Sequence, residues 1–262
     1  MSYVFTGSTP TKSQIEKLRL TLSTYQDGTG YLVSKLGKSL PGWRDFERSV
    51  ALVFDGVAQE SKAIFDVLVP ISLTPITDFG VSCKMRETLR TVENKGLVLI
   101  EVSNSERKFW NALNANGIYD YNTNLDRAGK VLLNLVESWH DKVSLEQGGT
   151  VDISKSYYLV LQWDKRSGRY QLFQFPTHLL DPEALSWEVR GKRIVGHNDD
   201  VVIIEWYGHS GGQLKYYPSV DEAIWSSDIF RLEPLPENDL GNVLKQRVIG
   251  YFPDLWRAAN EM

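Results

Sequence analysis

Three short apolar runs follow one another in the first half of the chain, and each carries one ionisable residue near its middle. They are Ile64–Pro70, Phe79–Arg86 and Leu97–Asn104, and their charged residues are Asp66, Lys84 and Glu101. Runs this short have the length of strands rather than helices. A charge set inside an apolar strand is costly unless it is paired or holds a metal. Three in succession restrict the chain to a sheet that must accommodate them, and they mark a candidate site.

Side chains alternate across a strand, and this sorts the runs by face. Over Ala63–Val69, Ile64, Asp66 and Leu68 share one face and Phe65, Val67 and Val69 the other, with Pro70 and Pro75 bracketing a loop. Over Phe79–Arg86, the apolar face carries Phe79, Val81, Cys83 and Met85, and the opposite face Gly80, Ser82, Lys84 and Arg86. Cys83 therefore falls where a thiol packs rather than reacts. Over Leu97–Asn104, Glu101 and Ser103 face away from Val98, Ile100 and Val102.

Helical spacing surrounds these strands. Lys12–Tyr25 places Ile15, Leu18, Leu20 and Leu22 as apolar positions, and Asp27-Gly28 ends the helix. Trp43–Val57 carries one stripe of Phe46, Val50, Val53 and Val57 and an adjoining stripe of Trp43, Glu47, Ala51 and Phe54. Glu47 thus sits at the edge of the buried face, with Arg44, Asp45 and Arg48 outside. Ser105 is placed to cap a helix over Glu106–Ala115, and Thr123 or Asn124 a longer one over Leu125–Lys142. Gln147-Gly148-Gly149 reads as a linker, after which the chain becomes β-rich. Strands Tyr157–Trp163 and Tyr170–Phe175 flank a hairpin tip with Lys165, Arg166 and Arg169. Trp187–Arg190, Val201–Tyr207 and Leu214–Tyr217 are further strands, with Lys192 and Arg193 in a basic turn. The C-terminal stretch, about Asn238 to Ala259, reads as helical up to Pro253. The expectation is a single domain over residues 1–262, with a helical arm and core in 1–148 and a β-rich part in 149–262.

Composition narrows the function. At 42% hydrophobic, a chain of 262 residues can bury a sizeable core. A net charge of −4 argues against holding polyanions by bulk charge, but leaves a local basic cleft open. The single cysteine excludes an internal disulfide and a zinc cage of several cysteines, so a reducing cytoplasm is expected. No apolar run reaches about 18 residues, so no membrane span is expected, and Met1–Thr6 lacks the pattern of a leader. The four histidines show no metal-ligand spacing.

If the three strands are neighbours in one sheet, Asp66, Lys84 and Glu101 meet at one edge of it. Two close carboxylates repel unless a cation lies between them, and their oxygens suit Mg²⁺ or Mn²⁺. A lysine beside them can orient a water and offset developing negative charge. This is the equipment for phosphodiester hydrolysis. Simpler readings stand beside it: Asp66 and Lys84 as a structural ion pair, Glu47 and Glu101 as solvated carboxylates, and the basic turns as solvated tips.

Glu47 on a helix, Asp66 in Ile-Phe-Asp-Val and Lys84 in Val-Ser-Cys-Lys-Met together resemble the PD-(D/E)XK nuclease superfamily, in its restriction-endonuclease-like branch. The resemblance spans roughly residues 40–110 and departs from the pattern at Ser82, where an acid is usual. It implies an α/β fold with a restriction-endonuclease-like core, a mixed central sheet flanked by helices. It implies Asp66, Glu101 and the Cys83 backbone carbonyl as Mg²⁺ ligands (Mn²⁺ also serving), with Glu101 replacing the missing acid. Lys84 would orient the water and Glu47 would be an outer ligand. The protein so implied is a type II, sequence-specific endonuclease of double-stranded DNA, a cytoplasmic homodimer. Ser82, Arg86, Arg90, Lys165, Arg166, Arg169, Lys192 and Arg193 are its candidate DNA contacts. The alternatives are a non-catalytic DNA-binding or interaction protein on a degenerate nuclease fold, or a structure-specific or RNA-directed nuclease of the same core.

Overall fold

The run Tyr157–Asp164 is buried at all eight positions, as befits a strand covered on both faces. The computed structural model describes residues 9–34, 37–59, 64–236 and 240–259. Met1–Thr6, Ala63 and Asn238, which entered the sequence reading, lie outside them.

In chain order, α1 (Lys12–Thr24) and a small ribbon of β1 (Leu32–Val33) and β2 (Ser39–Leu40) lead into α2 (Trp43–Val53). Strands β3 (Val57–Ala58), β4 (Val67–Leu73) and β5 (Ile76–Arg86) follow. Next come α3 (Leu89–Lys95), β6 (Ile100–Ser103), α4 (Glu106–Ala115) and α5 (Leu125–Asp141). The hairpin β7 (Tyr157–Asp164) and β8 (Arg169–Pro176) precedes β9 (Ser186–Arg190), β10 (Arg193–Asn198), β11 (Val201–Trp206) and β12 (Leu214–Tyr216). Two short strands, β13 (Trp225–Ser226) and β14 (Phe230–Arg231), and two helices, α6 (Leu240–Tyr251) and α7 (Pro253–Ala259), complete the described chain.

The architecture is mixed α/β. Among the described residues, a seven-stranded sheet runs β13-β8-β7-β5-β4-β3, with β14 also on β8. It is mixed because β5 and β7 pair in parallel while the other pairs are antiparallel. A five-stranded antiparallel sheet runs β6-β12-β11-β10-β9. Alternation along β7 divides the core. Tyr157, Leu159 and Leu161 join Phe79 and Val81 against Leu18 and Leu22 of α1 and Phe46 and Val50 of α2. Tyr158 and Val160 join Phe173 and Phe175 against Leu132 and Val136 of α5 and Ile194, Ile204 and Trp206 of the second sheet.

The helices α1, α4 and α5 and the β7–β8 hairpin form where spacing predicts. Asn124 caps α5, accepting the Arg127 N–H at 3.1 Å. Other elements differ, each for a local reason. Helix α2 stops at Val53 because Asp55 turns left-handed (φ 52°), a conformation Asp tolerates, and Val57 joins β3 instead. Asp45 faces inward and accepts the N–H groups of Tyr31 (3.0 Å) and Gly42 (2.8 Å) at the start of α2.

Strand β4 begins only at Val67 and runs through Pro70. Its outer neighbour β3 reaches only Val67 and Leu68. Beyond them β4 is an edge, where a missing N–H breaks no ladder. Ile64–Asp66 is a bend, so Phe65 leaves the expected face and covers Gly80, where a Cβ would come within 2.1 Å of the ring. The third apolar run forms strand only over Ile100–Ser103, and it pairs with β12 in the second sheet rather than neighbouring β5.

Strand β10 lies where only a turn is expected, because a register shift between Gly196 and His197 blurs its alternation. Gln147-Gly148-Gly149 is a tight turn rather than a linker. The Gly149 N–H donates to the Ser144 carbonyl at 2.8 Å, and Val151 bridges back to Asp78. Strands from both sides of residue 148 therefore share one sheet. Among the described residues, no helix is long and apolar enough to cross a membrane.

Candidate active site

Asp66 stands one residue before β4 begins. Its N–H donates to the Val81 carbonyl at 3.1 Å, which fixes it beside β5. Its Oδ2 accepts the Cys83 N–H at 2.8 Å and the Ser82 hydroxyl at 3.3 Å, with Lys84 Nζ at 3.5 Å. The carboxylate thus occupies the edge of β5 that β4 leaves open. A strand residue directs its N–H and C=O to the same edge, so the Cys83 carbonyl faces that opening too. Asp66 Oδ1 accepts no hydrogen bond from the described residues.

Glu47 comes from α2 and is 6% exposed, with Arg44 at 3.7 Å. Glu101 comes from β6, whose approach is set by Gln162. That buried side chain on β7 accepts from the Thr88 hydroxyl and donates to the Leu99 carbonyl at 3.2 Å. Glu101 Oε2 is buried against the Arg86 guanidinium without a hydrogen bond from the described residues, and Oε1 accepts from the Asn104 amide. Burial pushes the Arg86 pKa down.

Glu47, Asp66, Cys83, Lys84, Arg86 and Glu101 line one cleft of about 580 Å³. The four candidate catalytic side chains do share a site, but not by standing on neighbouring strands. Glu101 arrives from the second sheet and is paired with Arg86, which is therefore not a free DNA contact. Among the described residues, no group of three or more His, Cys, Asp or Glu side chains is arranged to hold a metal ion. The open Asp66 Oδ1, the Cys83 carbonyl and the buried Glu101 Oε2 are nonetheless oxygen donors that fit Mg²⁺, provided Glu101 leaves Arg86.

A second cleft, of about 760 Å³, opens on the other side of Lys84, and the two share Lys84, Val102 and Ser103. Lys108, Lys142, Trp139, His140 and Tyr158 line it. His140 is 5% exposed and stacks on Phe65 at 5.6 Å, and its Nδ1 has no hydrogen-bond partner among the described residues. Burial pushes its pKa down. Sequence reasoning passed over this cleft. One signal was there: His140 follows Val136 by one helical turn, on the apolar stripe of α5. Lys108 and Lys142 carry no such mark.

The remaining candidate contacts lie elsewhere. Ser82 is buried and donates to Asp66. Arg169 is tied to Glu93 at 2.5 and 2.8 Å, and Arg193 to Glu205 at 2.9 Å and the Tyr207 hydroxyl at 3.2 Å. Arg90, Arg166 and Lys192 are exposed and Lys165 is half-buried. None of Arg90, Lys165, Arg166, Arg169, Lys192 and Arg193 lines either cleft. The Cys83 thiol is buried, which pushes its pKa well up. His197 bonds Glu188 at 2.8 Å, His178 stands 3.3 Å from Glu137, and His209 packs on Trp110.

Set against known protein families, curated proteins and solved structures, the chain has no match.

Proposed function

We propose that this chain is a Mg²⁺-dependent endodeoxyribonuclease on a restriction-endonuclease-like core, cutting double-stranded DNA at a specific sequence. One observation carries the reading: Asp66, Lys84, Glu47 and Glu101 converge on a single cleft from separate elements, with Lys84 Nζ 3.5 Å from an Asp66 carboxylate whose other oxygen is open.

Asp66 and the Cys83 carbonyl would hold the cation, with Glu101 joining them. Once bound, the cation would polarise the scissile phosphate and acidify its water. Lys84, steered by Asp66, orients the attacking water and offsets charge that builds on the phosphate oxygens. Glu47 borders the acid side from α2. Attack opposite the 3′ oxygen leaves a 5′-phosphate and a 3′-hydroxyl. A palindromic target cut on both strands requires two copies of the site, hence a homodimer.

The test is incubation of the purified protein with methylated and unmethylated plasmid in Mg²⁺ or Mn²⁺, with Lys84→Ala as control. Linear or nicked product from the wild type alone supports the reading; no product on any DNA overturns it. A second reading has its own support. Ser82 stands where an acid is usual, and Glu101 is neutralised by Arg86. Both favour a non-catalytic DNA-binding or interaction protein, which would bind DNA in EDTA and never cut it. Replacing plasmid with branched DNA or RNA separates a structure-specific or RNA-directed nuclease.

A further inference from the structure

The cleft beyond Lys84 has the opposite character to the acid side. Lys84, Lys108 and Lys142 line it, and among the described residues no carboxylate does. Lys108 and Lys142 form no ion pair with the described residues. Lys108 Nζ stands 5.3 Å over the Trp139 ring; two ammonium groups without an acidic partner among the described residues, at one cleft mouth, are a recognition element for an anion. The walls are not those of a simple phosphate site. Trp139, His140 and Tyr158 contribute rings, Leu135 and Val136 aliphatic surface, and Asn111 an amide. His140 is more than nine-tenths buried, and its Nδ1 is unpartnered among the described residues. A buried ring nitrogen left without a partner has a hydrogen bond still to make. The volume, about 760 Å³, falls in the range of small-molecule sites and far exceeds the needs of one phosphate.

We infer that this cleft receives one unpaired nucleotide. Its base lies against the Trp139 and Tyr158 side, within reach of Asn111 and His140, and its phosphate sits on Lys108 and Lys142. A paired base cannot present its face to such a wall, because its neighbours in the stack already cover it. Lys84 belongs to both clefts, so the accommodated nucleotide adjoins the phosphate to be cut. The inference rests on the nuclease reading for the polymer to which that nucleotide belongs. The substrate is then a duplex with a base out of its stack, whether displaced by the protein or by a defect.

The experiment is binding without catalysis. Fluorescein-labelled duplexes, fully paired or carrying a one-nucleotide bulge, are titrated with protein in EDTA and followed by anisotropy. The bulged duplex is expected to bind at least about tenfold more tightly, the scale of stacking one base. A nucleoside 5′-monophosphate should compete where inorganic phosphate at equal concentration does not. Lys108→Gln with Lys142→Gln, both exposed positions that leave the core intact, should remove the preference. His140→Asn should weaken it. Equal affinity for the two duplexes, equal competition by phosphate, or a preference that survives the lysine pair overturns the inference. Plasmid cleavage without bulge preference defeats this inference alone; bulge preference without cleavage on any substrate defeats the nuclease reading alone.

Discussion

Lys84 divides two half-clefts of opposite construction. On one side every carboxylate has a cationic neighbour: Asp66 has Lys84, Glu101 has Arg86 and Glu47 has Arg44. On the other side, among the described residues, Lys108 and Lys142 stand without an acid, beside a histidine whose Nδ1 lacks a partner. The first side is bonded to itself in advance, as a site must be if it is to hold reacting groups in register. The second is left open, as suits a surface that completes itself with a ligand. In a chain of net charge −4, that basic side reflects local arrangement and not an excess of cations.

The contrast can be broken from either side. The largest effect is expected from Asp66→Ala or Lys84→Ala, which remove the residues joining strand edge to chemistry. Cleavage should fall by at least about 10²-fold, with circular dichroism unchanged. Gly80→Ala attacks the other half-cleft through its floor. The new Cβ meets the Phe65 ring at 2.1 Å and displaces the ring on which His140 stacks. Thermal or urea unfolding should show a loss of about 1–3 kcal/mol, the usual cost of overpacking.

Glu101→Gln sharpens the acid side by leaving Arg86 half-buried without its counter-charge. A loss of about 1–2 kcal/mol is expected, and Arg86→Gln in the same chain should restore part of it. Recovery of stability without activity would show that Glu101 serves chemistry as well as pairing.

His140 gives a smaller, pH-dependent effect. Burial holds its pKa below the ordinary value, Lys84 and His178 add to that, and Glu137 and Asp141 oppose it. The unfolded chain therefore takes up this proton first as pH falls. Its contribution to stability is complete above about pH 6.5 and is lost as pH falls through the folded pKa. His140→Asn should flatten the fall in urea midpoint between pH 7 and pH 5; an unchanged slope would sink this account. The smallest effect is expected at Arg169→Ala. Its pair with Glu93 is near the surface, so the urea midpoint should barely move, and cleavage should not change.

Apart from Asp45, which turns inward to bond the start of α2, residues on regular elements were legible in the sequence, and residues placed by irregular backbone were not. Alternation sorted Phe79, Val81 and Cys83 from Ser82 and Lys84 because β5 is regular throughout Phe79–Arg86. Helical spacing put Glu47 at the boundary of the α2 core for the same reason. Phe65 escaped because the Ile64–Asp66 bend before β4 undoes its parity. Glu101 was found as a residue but misplaced as a neighbour, since nothing local says that β6 pairs with β12. The start of β6 is held by Gln162, far along the chain, whose amide donates to the Leu99 carbonyl. The basic cleft escaped most fully: Lys108 and Lys142 belong to separate helical segments and meet only through the packing of α4 against α5.

The parallel pairing of β5 with β7 has a consequence in time. The hydrogen bond from the Gly80 N–H to the Ser156 hydroxyl joins residues 76 apart in sequence. The intervening chain contains β6, α4 and α5, and so carries Glu101, Lys108 and His140. Closing a loop of that length costs entropy before its contacts return any. The β4–β5 hairpin that bears Asp66 and Lys84 needs only local contacts and is expected to form early. The wall that Glu101 and the lysines contribute must wait for closure. During synthesis, the hairpin would be complete as a structure well before either half-cleft exists, which delays both until β7 has emerged and docked.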